Sequence, residues 1–143
     1  MTALSLDKAK QIIDAAFAKG AELKFKPLGV SVLDAGGHLV AFQRQDGASF
    51  LRPEMSAGKA YGALAIGMGG RRVEAFAKDR PHLMAGISDV SGGRVLPVVG
   101  GVLIRDASGI VIGAVGISGD TSDNDETAAI AGIEAAGFTA DPG

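Results

Sequence analysis

The chain contains no cysteine, so disulfides, thiolate metal sites, iron–sulfur clusters, c-type haem attachment and cysteine nucleophiles are all excluded. It also lacks a basic run: 14 Lys and Arg stand against 16 Asp and Glu, and no aromatic residues interleave with clustered cations. The electrostatic footprint of a nucleic-acid binder is therefore missing, and neither DNA nor RNA is an expected partner. Long apolar runs are missing as well. The N-terminal "MTALSLDKAKQIIDAAFAKG" is broken by charges every few residues, which fits neither a signal peptide nor a membrane span and makes the cytoplasm the expected location. Aromatics are scarce, whereas glycine is abundant at 22 residues in an otherwise apolar chain. That balance favours a protein that hides surface in a homo-oligomer.

At 143 residues, with no linker-like stretch, the chain reads as one domain spanning 1–143. Ser5 caps a predicted helix whose Ala9, Ile12, Ile13, Ala16 and Phe17 recur at the spacing of one buried face, ending near Gly20 or Leu23. A hairpin follows Pro27. A second helix opens at "RPEM", carries Ala57, Ala60, Tyr61 and Leu64 on one stripe and runs to about Met68. Gly69-Gly70 end it, "RRVEAFAKD" forms a short helix, and Pro81 opens a loop lasting to about Arg94. A second hairpin spans about Pro97 to Ser118. A last helix starts with Ser122 and Asp125 at capping-box spacing. The order α-ββ-α-α-ββ-α with tight hairpins predicts an α+β domain, an antiparallel sheet of about five strands flanked by helices.

The two hairpins nearly repeat: "GVSVLDAGGHLVAF" aligns without gaps on "GVLIRDASGIVIGA", Gly29 falling on Gly101. Both turns begin with Asp and end with Gly, as a tight turn needs. Where the second copy has Ile110 the first has His38, so the turn itself does not require the histidine. With strict alternation, His38 shares its side of the strand with Val40, Phe42 and Arg44. His38 and Arg44 then lie roughly 20 Å apart, too far for one small metabolite to touch both. Lys59 sits in a small-residue helix at the margin of a possible cleft, although most such lysines snorkel to water. In "DTSDNDE", Asp123, Asp125 and Glu126 make a weak hard-cation candidate without the spacing of a calcium loop, set against plain helix capping. "GMGGRR", "SAGKAYG" and "GISGD" lack the contexts of nucleotide loops or a nucleophile elbow.

"VLDAGGHLVAFQRQDGA", "AGKAYGALA" and "GGVLIRDASGIVIGAVGISGDTSDNDETAAIAG" together resemble, in order and spacing, the GlcG/HbpS family of haem-binding or haem-degrading-type domains. The resemblance covers nearly the whole chain. It implies a profilin-like or roadblock-like sheet flanked by helices, assembled as dimers or larger homo-oligomers, with members that bind haem and others encoded in catabolic operons. One valine departs from the pattern, in "LPVVGGVLI", where a proline is expected after the Gly-Gly pair. On this resemblance the expected ligand is haem or another tetrapyrrole. His38 would be the axial ligand, with Tyr61 or a methionine the candidate in its place, the apolar strip with Phe42 would contact the macrocycle, and Arg44 or Lys59 would hold a propionate. The alternative expectation is a cofactor-free enzyme or accessory protein of small-carboxylate catabolism with His38 as general base.

Overall fold

The computed structural model describes residues 3–143. Its element order is α1 (Leu6–Glu22), β1 (Gly29–Asp34), β2 (Leu39–Arg44), α2 (Arg52–Ile66), α3 (Gly70–Asp79), α4 (Pro81–Val90), β3 (Gly101–Arg105), β4 (Val111–Ser118), α5 (Ser122–Ala135) and β5 (Thr139–Asp141). The strands form one sheet in the order β2-β1-β4-β3-β5, antiparallel at every pairing. This is the α+β architecture that the hairpins require.

The repeat is real in backbone as well as in sequence. Asp34 Oδ1 accepts from the N–H groups of Gly36 and His38 at 2.9 and 3.0 Å, and Asp106 Oδ1 accepts from Ser108 and Ile110 at the same distances. Gly37 and Gly109 both have φ of +82°, a conformation that costs glycine little and a side chain more. Each hairpin also skips one residue in register, between Val32 and Leu33 and between Ile104 and Arg105.

Two layers cover the sheet. On one face α1 and α5 pack on Val30, Val32, Val102, Val115 and Ile117, the apolar stripe of α1 supplying Ala9, Ile12, Ile13 and Ala16 as expected. On the other face α2 lies so close that its backbone meets the sheet where the strands have glycine: Gly116 faces the Ser56 carbonyl and Gly101 that of Lys59. A share of the glycine that composition assigned to intersubunit packing is thus used inside the subunit.

Three local expectations are corrected. The segment after Pro81 is helix α4, because proline's fixed φ and missing N–H suit a first helical turn, so Pro81 ends α3 by starting a new axis. The cap of α5 is Thr121, whose hydroxyl accepts from Asn124 N at 3.2 Å. Ser122 is the first residue inside the helix. The buried face of α2 is Ser56, Lys59, Ala60 and Ala63, rotated from the predicted stripe, and Ala57, Tyr61 and Leu64 are turned partly outward.

Candidate functional site

That rotation creates a cleft. Leu33, Gly37 and Leu39 of the first hairpin form one wall, Glu54, Met55, Ala57, Gly58 and Tyr61 of α2 the floor, and segment 93–96 the other wall, around about 490 Å³. The volume is ordinary for a small-molecule site, roughly 300–1,000 Å³. Segment 93–96 is fixed against α2: Leu96 N donates to Gly58 O at 3.1 Å, and a side chain at Gly58 would press on Leu96. Arg94 closes the outer end, its guanidinium 4.7 Å from the centre of the Tyr61 ring.

The structure separates the residues that the sequence grouped. Tyr61 lines the cleft. His38 stands at its rim, between the lining residues Gly37 and Leu39, with its side chain 80 % exposed and its ring against Gly36. His38 Nδ1 lies 3.2 Å from Asp34 Oδ1, which assigns the proton to Nδ1 in the neutral ring and leaves Nε2 as a free acceptor. The expected strip of alternating residues is broken by the register skip: Leu39 pairs with Leu33 and Ala41 with Val32, so Val40 turns to the α1 core and Leu39 takes the cleft side. Phe42 packs beside Gly29, and Arg44 lines a separate groove with Phe25 and Asp46. The two ends of β2 therefore share no site.

Lys59 is buried, 3 % exposed, on the far side of α2 from the cleft. Its Nζ donates to Asp125 Oδ2 at 3.0 Å and to the Ile117 carbonyl at 2.8 Å. Asp125 Oδ1 accepts from Asp120 N at 3.0 Å. Burial pushes the Asp125 carboxyl above the ordinary carboxylate range, opposed chiefly by the Lys59 ammonium and the Asp120 N–H. Asp123 and Glu126 engage Arg71, at 2.7 and 2.9 Å, and raise its already high pKa. Among the described residues no three His, Asp or Glu side chains group so as to hold a metal ion.

Sequence reasoning missed Glu54, Met55 and Arg94. Nothing local marks them, because the cleft exists only once the hairpin tip and segment 93–96 converge on α2. A local property of the rim is testable directly. Hydrogen bonds from His38 N and Gly36 N hold the Asp34 carboxyl below its ordinary value. A lowered carboxyl supplies stability above the unfolded pKa that is lost as pH falls through the folded one. Asp34→Asn is therefore expected to lie below wild type in thermal midpoint by a constant gap at neutral pH, narrowing below about pH 4 as both carboxyl states protonate. A gap that does not depend on pH would remove the ionised turn from the account.

The family of the haem degrading protein HbpS-like domains matches residues 4–134. A 15.0 kDa protein from the dhaT-dhaS intergenic region of Citrobacter freundii is 33% identical over 122 residues, 85% of this chain and 84% of that one. The crystal structure of a PduOC:heme complex superposes with a TM-score of 0.84 at 28% identity, covering 96% of this chain and 97% of that one. A crystal structure of HbpS gives 0.81 at 25% identity, covering 94% and 90%. No helix among the described residues is long and apolar enough to cross a membrane.

Proposed function

We propose, from the premise that the chain belongs to the HbpS-like family of haem degrading proteins, that its cleft takes haem or a close tetrapyrrole. The observation that carries the reading is the composition of the cleft. Leu33, Leu39, Ala57, Val95 and Leu96 give it apolar walls fit for a flat macrocycle, and iron-ligating atom types stand at its edge and floor: the imidazole of His38, the phenol of Tyr61 and the thioether of Met55. The PduOC:heme complex, of the same fold and 28% identical, supports it.

His38 would hold the haem iron in this proposal. Asp34 on Nδ1 would orient the ring, as carboxylates behind metal-bound histidines do. Haem itself supplies the redox and oxygen chemistry. The residues of this chain would hold the ring, shield one face from water and orient the ligand. Lys59 and Arg44 take no part, since one is buried behind α2 and the other lies in a different groove.

The test uses the chain's own repeat. Because Asp106 holds the Ile110 turn with the same bonds that Asp34 makes, His38→Ile is expected to keep the thermal midpoint within a few degrees of wild type. Haem titration of that variant is expected to lose the Soret and visible bands of imidazole-bound iron. An unchanged spectrum would remove His38 as ligand, and Tyr61→Phe and Met55→Leu would then decide between the donors inside the cleft. Copies of this chain are further proposed to associate, which sedimentation at micromolar concentration checks.

A further inference from the structure

We propose that Arg94 is the residue that reads a carboxylate in the cleft, and that it selects ligands with a flat apolar body and an acid on one edge. Gly92 and Gly93, with φ of +73° and +76°, turn the chain sharply just before it. Its side chain is held twice: Nε donates to the Ser91 carbonyl at 2.7 Å, and the guanidinium plane lies over Tyr61. Those contacts use one donor and one face. The two terminal nitrogens, four N–H donors in a planar fork, have no hydrogen-bond or ion-pair partner among the described residues.

An arginine fixed by stacking loses little further freedom when it binds, and its planar fork fits a carboxylate bidentately. Glu54 lines the same cleft and forms no ion pair with Arg94, so the two charges act separately on what enters. An acid group is drawn to the Arg94 end and repelled from the Glu54 part of the floor. The apolar body then falls across Leu33, Leu39 and Leu96, and the pair of charges sets which way round the ligand enters.

The inference rests on the haem reading of the cleft, since haem carries two propionates on one edge, but it can be tested apart from that reading. Tyr61 is the single tyrosine of a chain without tryptophan, so tyrosine emission reports on this cleft alone. Haem and its dimethyl ester, in which both propionates are blocked, are titrated against wild type, Arg94→Gln and Arg94→Lys. Wild type is expected to bind haem about tenfold or more tightly than the diester, the scale of one charge-assisted pair. Arg94→Gln is expected to bind the two alike. Arg94→Lys is expected to recover only part of the preference, because a point charge lacks the stacked fork. A preference retained in Arg94→Gln, or absent from wild type, overturns the assignment.

If neither haem form quenches the emission, the haem reading fails on its own. 2-Naphthoate and its methyl ester then test Arg94 by the same signal. An acid preference that Arg94→Gln abolishes upholds the carboxylate site, and no preference overturns it.

Discussion

Gly116→Ala is expected to be the most damaging conservative substitution in the protein. A side chain there would fall on the Ser56 carbonyl of α2, against backbone that cannot swing away. Helix α2 would have to lift from β4, loosening the buried Ser31–Ser56 hydroxyl bond of 2.7 Å and the cleft floor carried on the same helix. Overpacking usually costs about 1–3 kcal/mol, and a rigid backbone clash belongs at or beyond the upper end. For a domain whose whole stability is about 5–15 kcal/mol, that means a thermal midpoint many degrees lower. Gly86→Ala is the control. Gly86 lies inside α4 with nothing near the space a methyl would fill, so alanine is expected to gain up to about 1 kcal/mol from helix propensity. Equal midpoints for the two variants would show that α2 does not rest on Gly116 as described.

Removing one partner of the Lys59–Asp125 pair is expected to cost about 3–5 kcal/mol, because the other charge stays buried without a counter-ion. Lys59→Met has a pH signature that a simple packing defect lacks. Burial already raises the Asp125 carboxyl, and losing the ammonium raises it further. A carboxyl whose folded pKa exceeds its unfolded value contributes stability below the unfolded pKa and loses it as pH rises through the folded one. The deficit of Lys59→Met against wild type is therefore expected to grow as pH rises above the already raised folded pKa of wild-type Asp125, by as much as about 1.4 kcal/mol per pH unit until the still higher folded pKa of the variant is passed. The double variant Lys59→Met/Asp125→Leu leaves no buried charge and is expected to recover most of the loss. Chemical denaturation across pH separates the outcomes. A flat deficit, or a double variant as unstable as the singles, would mean that the pair is not what fastens α2 to α5.

The sequence was legible wherever structure is local. Apolar spacing in α1 and the Asp-to-Gly turns of both hairpins depend on neighbours within a few residues, and those elements lie where their patterns place them. Local rules also misled where two of them compete. Pro81 can end a helix or begin one, and only the packing of Met84 and Ile87 against Val73 and Phe76 makes the following segment helical. Within α2, small residues occur on every side, so periodicity could not say which stripe is buried. The sheet decided it: Gly101 and Gly116 admit the helix backbone on one side only, which sends Lys59 inward to Asp125 and turns Tyr61 out.

The sequence by itself determined the α+β class, the duplicated hairpin and the family, and its Ile110 gave the expectation that a turn of this kind does not require His38. Tertiary structure alone decided the cleft. Its walls come from residues 33–39, 54–61 and 93–96, which no local pattern links, and the skip in β2 gives Leu39 the place that alternation assigned to its neighbours. Opposite fates for two cations follow from the same cause: Lys59 meets a carboxylate across the sheet and is sealed in, whereas Arg94 meets an aromatic face and one backbone carbonyl and stays exposed. Side-chain chemistry is written residue by residue, but whether a charge is satisfied depends on which distant segment the fold brings beside it.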